Sequence, residues 1–246
     1  MKINYKKIKQ KYLKSYNQNG VILIKSLFEK KDIKNIKDEL IEYIKLISNK
    51  LSKRQINLIK NTKLINSLHD LKKCKIVNKI LRHKKIKTLS KDFVGEDAKE
   101  FGAELFAKPK KIGLPSPAHQ DNYYWNINKN NGITIWIALD NSNSYNGGVY
   151  YYLKSHKIGI QPHKPSNAPG SSQTIKYPNV LKFFKKKIPK LNIGDVLIHQ
   201  SAIIHGSNKN TSNNTRMGLT LRFIPKKSKV DYFLKKKYET ELKKQI

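Results

Sequence analysis

The stretch "PSPAHQDNYYW", residues 115–125, places His119 and Asp121 one residue apart, just after a proline-broken loop. In a strand, residues i and i+2 point to one face, so an imidazole nitrogen and a carboxylate oxygen can meet one ion while Gln120 faces away. Two ligands hold a metal poorly, and His205, in the strand-like "AIIHGSN", is the candidate for a third. Two imidazoles and one carboxylate on one side of an ion, with the opposite positions open, form the ligand set of non-haem Fe(II) oxygenases. Taken alone, His-X-Asp also fits a histidine packed in a core or sitting on a surface. Arg216, at the start of the next strand-like run, adds to the case. A guanidinium in a dry barrel needs a partner, and its fork matches a carboxylate in bidentate fashion. Between Gly102 and Val230 the only carboxylates are Glu104, Asp121, Asp140 and Asp195, so a bound small-molecule carboxylate is an attractive partner. A surface arginine is the plainer alternative.

The elements that must carry these residues change character along the chain. From Tyr5 to about Arg82 the pattern is helical, and "KKDIKNIKDELIEYIKLI" repeats apolar residues three and four apart. Ahead of it, "NGVILIKSLF" reads as a short strand entering a turn. From about Glu100 the runs "AELFAKP", "ITIWIAL", "GGVYYYL", "DVLIHQSAIIH" and "RMGLTLRFI" read as strands separated by Asn, Gly, Pro and Ser clusters. This predicts an antiparallel jelly roll or small barrel. The segment from about Lys154 to Asn192 has little strand periodicity and is expected to be a long lid-like excursion over one mouth. The tail "KKSKVDYFLKKKYETELKKQI" is expected to form a terminal basic helix. One domain over 1–246 is expected: a helical part to about 100, a core at about 101–225 and a basic tail at 226–246.

The 246 residues carry 51 Lys and Arg against 17 Asp and Glu, a formal charge of +34. Clustered cations bind phosphate backbones, but this excess is almost all lysine spread from Lys2 to Lys244, as codon bias toward AT would produce. The scarcity of acids is not accounted for by that bias, so polyanion binding stays open. The lone Cys74 excludes an internal disulfide or thiolate cluster, which leaves oxygen and nitrogen ligands. No apolar run reaches the roughly 20 residues of a membrane span, and "MKINYKKIKQ" lacks a secretion signal's apolar stretch, so a cytoplasmic location is expected.

The motifs together resemble the phytanoyl-CoA dioxygenase family of Fe(II)- and 2-oxoglutarate-dependent oxygenases. The likeness runs from "NGVILIKSLF" to "LRFIP" and rests on "KP" at 108–109, "HQD" at 119–121, "WIALD" at 136–140, "NGGVYYYLKSH" at 146–156 and "GDVLIHQSAIIHGSNKNTSNNTR" at 194–216. It implies a mainly β, cupin-like double-stranded β-helix with helices packed on it. By resemblance His119, Asp121 and His205 bind Fe(II), and Arg216 holds the distal carboxylate of 2-oxoglutarate. Trp136 and Ser207 match positions that contact this cosubstrate, and Glu104 and Lys108 lie on the strand lining the same pocket. Glu104 departs from what an anionic cosubstrate wants beside it, unless Lys108 compensates or the side chain turns to substrate. The resemblance implies that O2 and 2-oxoglutarate are consumed, succinate and CO2 released and a small-molecule substrate hydroxylated. Related halogenases have a small residue where this chain has Asp121, which argues for hydroxylation. The lysine-rich excursion would attract an anionic substrate.

The other histidines read as bystanders. His156 is expected to fix a turn, and His69, His83 and His163 to be exposed. His199, six residues before His205 on an extended run, is placed about 20 Å from it. Asn146, Gly147 and Gly148 suggest a tight turn with positive φ, and Asp195 reads as turn chemistry. Tyr123, Tyr124 and Trp125 would line a substrate mouth or pack in the core. Two other function classes compete. One is an AlkB-like nucleic-acid oxidative demethylase, suggested by Arg216 and Arg222 six apart and the basic surface. The other is a non-enzymatic basic nucleic-acid-binding module with structural histidines.

Overall fold

Residues 30–47 place Ile33, Ile36, Leu40 and Ile44 on one stripe, and all four are buried in a helix spanning those residues. Burying each such side chain contributes about 2 kcal/mol relative to leaving it exposed. The computed structural model describes residues 5–52, 55–168 and 171–243. In chain order, α1 (Tyr5–Asn19), β1 (Val21–Ile24), α2 (Lys30–Ile47), β2 (Ile56–Leu58), β3 (Ile65–Leu68), α3 (Lys75–Leu81) and α4 (Lys84–Val94) come first. There follow β4 (Ala98–Lys108), β5 (Ser116–His119), α5 (Asp121–Trp125), β6 (Ile133–Ala138) and β7 (Val149–Tyr152). The chain continues through β8 (His163–Ala168), β9 (Ser171–Ile175), β10 (Lys186–Lys187), β11 (Val196–Gln200), β12 (His205–Ser207), β13 (Arg216–Pro225) and α6 (Tyr232–Lys243).

Apart from β8 and β9, the strands form two facing antiparallel sheets, a jelly roll of the cupin-like kind. The larger has the order β1-β11-β6-β13-β4-β3-β2 and the smaller β10-β7-β12-β5. Period-two alternation sorts the larger sheet's residues between two environments. Ile133, Ile135, Ile137, Leu219 and Leu221 point outward and share one core with Leu40, Val77, Ile86 and Leu89 of the helices. Thr134, Trp136, Thr220 and Arg222 point the other way, into a cavity between the sheets.

Register turns that inner face into a grid. Thr134 of β6 stands between His199 of β11 and Arg222 of β13. Thr220 stands between Trp136 of β6 and Glu104 of β4, and Arg216 opposite Lys108. Gly218 is required here by close approach: a Cβ on it would lie 2.0 Å from Cζ2 of Trp136, whose indole lies across that strand.

The N-terminal part is not purely helical. Besides the expected β1, which pairs with β11, the strands β2 and β3 extend the large sheet beyond β4. At three and four residues these strands are too short to display an alternation. The excursion also contains strands, since β8 and β9 form a hairpin. It is anchored over β5 by Thr174 Oγ1, which donates to the Ala118 carbonyl at 3.0 Å. The terminal helix forms as expected. Gly147 has φ +77°, and the Asp195 carboxylate accepts from the backbone N–H groups of Ser26 and Asn192, as turn chemistry requires. Among the described residues no helix is long and apolar enough to cross a membrane.

Candidate metal centre and ligand cavity

His119 is the last residue of β5, and His205, the first of β12, stands opposite it in register. Asp121 is not on the same strand as His119. β5 stops at His119 and the chain turns into α5, of which Asp121 is the first residue. The turn, rather than the pleat, brings the carboxylate back beside the imidazole. One ligand atom from each of His119, Asp121 and His205 lies within 4.8 Å of the others, so the three could hold a metal ion. Gln120 does face away: its amide donates to the carbonyls of Gly159 and Ala202 and accepts from Gln161 N.

The hydrogen bonds set the tautomers. His119 Nδ1 donates to the Pro117 carbonyl at 2.8 Å, and His205 Nδ1 donates to the Ile203 carbonyl at 3.0 Å. Both Nε2 atoms therefore keep a free lone pair, 3.9 and 3.6 Å from Oδ1 of Asp121. Burial lowers the pKa of each imidazole to about 4, which keeps them neutral and ready to ligate. Burial would raise the Asp121 carboxyl, but His205, His199 and His119 outweigh it and hold it well below the usual range.

His199 belongs to this centre, against expectation. Its Nε2 donates to Asp121 Oδ2 at 3.2 Å, and its ring centroid is 4.6 Å from that of His205. The residues between the two histidines are not extended. β11 ends at Gln200, a turn closes with Ile203 N donating to the Gln200 carbonyl at 3.1 Å, and the chain crosses to the other sheet. The histidines thus face one another across the roll. Thr134 Oγ1 donates to the same Asp121 oxygen at 2.6 Å, and Tyr151 O–H donates to His199 Nδ1 at 3.0 Å. Such outer partners orient a ligand, and losing one typically costs about 10- to 100-fold in metal affinity. His199→Phe is expected to weaken Fe(II) binding by roughly that factor with the circular dichroism unchanged. Affinity equal to wild type in an anaerobic titration would remove His199 from this role.

Arg216 is 2 % exposed, and Lys108, opposite it, is 5 % exposed. Arg216 Nη2 donates to the Gly147 carbonyl at 2.6 Å, its Nε is buried without a partner, and its guanidinium lies 5.5 Å from the Trp136 ring. Lys108 Nζ donates to the Leu114 carbonyl. Among the described residues neither cation has a carboxylate within ion-pair distance. Burial lowers Arg216 to about 10; burial and the neighbouring Arg216 lower Lys108 to about 6. Ser207 and Trp136 line the same cavity of about 650 Å³.

Glu104 is not compensated by Lys108. Its Oε1 accepts from His69 Nδ1 at 2.7 Å and lies 3.0 Å from Arg222 Nη2. Burial opposes its charge, but Arg222 and His69 prevail and lower its pKa. His69 is accordingly only part exposed. His163, also expected at the surface, is buried, stacks on Tyr123 at 4.0 Å and accepts from Gln120 N at 3.1 Å. His83 is exposed, and His156 ties its turn to the Asn17 carbonyl of α1 at 3.1 Å. Tyr124 and Trp125 line the cavity, joined by Tyr238 and Leu242 of α6. The excursion contributes Ala168, Ser171 and Ser172 to the lining, while every lysine from 154 to 190 is exposed.

The two sheets of this cupin-like roll gather two histidines and an aspartate that could hold a metal ion beside two buried basic side chains that, among the described residues, have no carboxylate within ion-pair distance. The chain belongs to the phytanoyl-CoA dioxygenase family, whose sequence profile matches residues 16–218. It is 22% identical over 226 residues to the peroxisomal phytanoyl-CoA dioxygenase of Bos taurus, covering 85% of this chain and 66% of that one. This chain therefore spans just under two thirds of that relative's length. A phytanoyl-CoA dioxygenase domain-containing protein 1 homolog of Dictyostelium discoideum is 30% identical over 128 residues, 50% of this chain and 45% of that one. Among solved structures, the non-heme alpha ketoglutarate dependent carbocyclase SnoK from nogalamycin biosynthesis superposes with TM-score 0.77 at 15% identity, covering 94% of this chain and 89% of that one. EctD from S. alaskensis, solved with 2-oxoglutarate and 5-hydroxyectoine, gives 0.75 at 14%, covering 87% and 75%. At these identities the structural likeness speaks to the fold.

Proposed function

We propose that the protein is a non-haem Fe(II)- and 2-oxoglutarate-dependent dioxygenase that hydroxylates a small-molecule substrate. The observation that carries this reading is Arg216, a buried guanidinium with no carboxylate within ion-pair distance among the described residues, beside the buried Lys108 amine in the cavity that also holds the His119, Asp121 and His205 cluster. Buried charge persists only when paired, so the pair fits a bound dianion. His119 and His205 would ligate iron through Nε2, and Asp121 through a carboxylate oxygen. Arg216 would grip the far carboxylate of 2-oxoglutarate with its fork, and Lys108 would regain its proton as that charge arrives. Ser207 would donate its hydroxyl to the same carboxylate, and the Trp136 ring would hold the guanidinium flat and keep water out. Bound Fe(II) with 2-oxoglutarate and O2 supplies an oxidative decarboxylation in which one oxygen atom enters a substrate C–H bond and the other enters succinate, with CO2 released. The carboxylate of Asp121 would take the ligand position a halide needs, which supports hydroxylation over halogenation. EctD, which shares the fold, has been solved with bound Fe.

Anaerobic protein loaded with Fe(II) is expected to develop a metal-to-ligand charge-transfer band on adding 2-oxoglutarate, and to release succinate when O2 is admitted. Absence of the band, together with succinate no higher than in an iron-free control, would defeat the reading.

A further inference from the structure

From Asn141 to Gly194 the chain carries nine lysines and no aspartate or glutamate. Within that stretch β9 leads into a 3-10 turn, Pro178–Phe183, and then into β10 at the edge of the smaller sheet. The turn is fixed from beneath: Val180, Leu181 and Ile188 pack against Ala118, Tyr150, Ile175 and Ile204, and Leu153 N donates to the Lys185 carbonyl at 3.0 Å. Phe183 is left outside this packing. At 83 % exposure it is the most exposed large apolar side chain among the described residues, and Tyr177, just before the turn, is 59 % exposed. Lys182, Lys185 and Lys186 are exposed and at most three residues from Phe183, so their Cα atoms lie within about 11 Å of its own. Among the described residues none of the three has a carboxylate within ion-pair distance, whereas the surface lysines Lys34, Lys45 and Lys91 do.

Lysines on an edge strand guard it against pairing with another chain, which accounts for Lys186 and Lys187. That guard has no use for a bare phenyl ring beside them. A nucleic-acid strand would call for a groove with successive aromatic platforms, and neither Phe183 nor Tyr177 lines the cavity. The acid-free stretch also holds no arginine to fork a phosphate. An apolar tip ringed by ammonium groups has the layout of a bilayer's boundary with water, where rings sit at the headgroup level and lysines reach the phosphates above. We propose that this turn is a peripheral docking site for a bilayer of anionic phospholipid, with Phe183 inserted among the headgroups and Lys182, Lys185 and Lys186 on their phosphates. Lys186 is held in place for this by the Tyr150 ring, whose centroid lies 4.0 Å from its Nζ. Because the turn is already packed, docking orders little new backbone. The site is separate from the metal centre, and its occupancy does not depend on the dioxygenase reading.

The test is sedimentation of the full chain with vesicles of phosphatidylcholine alone, or of phosphatidylcholine mixed equally with phosphatidylglycerol. Binding is expected to the mixed vesicles only, and to weaken as salt rises. A lysine near such a surface contributes roughly fivefold in affinity, so Lys182→Gln with Lys185→Gln is expected to lose about 25-fold. Phe183→Ser is expected to lose roughly tenfold, the effect of withdrawing one ring from an apolar layer. The charge-matched control is Lys30→Gln with Lys31→Gln on α2, which packs outside the larger sheet, on the far side of the roll from β10. It is expected to bind close to wild type, with the circular dichroism of every variant unchanged. The proposal is overturned if the mixed vesicles do not sediment the protein, if neutral vesicles bind it equally, or if Phe183→Ser binds as wild type does. A control that loses as much as the Lys182 and Lys185 pair overturns it in favour of net charge alone. A single-stranded oligonucleotide that binds more tightly than the mixed vesicles, and is weakened by Phe183→Ser, overturns it in favour of a nucleic-acid surface.

Discussion

Asp121→Ala is expected to abolish iron-dependent succinate release and to lower Fe(II) affinity more than any other single substitution in the cavity. The change removes one of three ligands from a cluster whose atoms lie within 4.8 Å of one another. It also strips the shared acceptor from Thr134 Oγ1 and His199 Nε2, leaving two donors unpaired in a buried site at about 1–3 kcal/mol each. His119 and His205 alone would then face the ion, with imidazoles neutral at pH 7 and no negative charge to offset it. Asp121→Asn separates ligation from packing, because it keeps an oxygen for the Thr134 hydroxyl while removing the charge. Turnover near wild type in the alanine variant, or iron affinity unchanged in the asparagine variant, would take Asp121 out of the metal centre.

Arg216→Ala is expected to raise the KM for 2-oxoglutarate on the order of 100-fold, because truncating one side of a buried charged pair costs about 2–5 kcal/mol. Its effect on folding should run the other way. The free protein holds this guanidinium at 2 % exposure with its Nε unpartnered and, among the described residues, no ion pair, so removing it also removes a desolvation cost. A melting temperature that holds or rises, alongside collapsed cosubstrate binding, is a combination a merely structural arginine would not produce. Arg216→Lys should recover part of the affinity, since an ammonium supplies the charge without the fork. A KM equal to wild type in Arg216→Ala would end its assignment as the cosubstrate's anchor.

The residues that could be read from the sequence are those whose environment is set locally. The stripe Ile33, Ile36, Leu40 and Ile44 needs only helical periodicity, and His119 and Asp121 are neighbours in the chain. The place of His199 depends on a four-residue turn that carries the chain from one sheet to the other, and no local pattern distinguishes that turn from a continuous strand. The ion pair of Glu104 and Arg222 joins residues far apart in sequence, although a signal existed. Arg216 and Arg222 are an even number of positions apart on one strand, so both must face the cavity if either does. The tail's helix was readable from its pattern. That Tyr238 and Leu242 line the cavity was not, because nothing in a terminal segment says where it docks.

β13 pairs with β4 from Arg216 to Pro225 on one side and with β6 from Gly218 to Phe223 on the other, and it carries Arg216 at one end of its inner face and Arg222 six residues further on. A strand held by neighbours on both sides cannot slip by one residue without turning every inward group outward. It therefore acts as a fixed gauge, about 20 Å of backbone between the two guanidinium bases. Whatever fills the chamber meets a fixed wall on this side, so a bulkier occupant is accommodated toward boundaries that are not part of the two sheets, among them α6 and the β8–β9 hairpin.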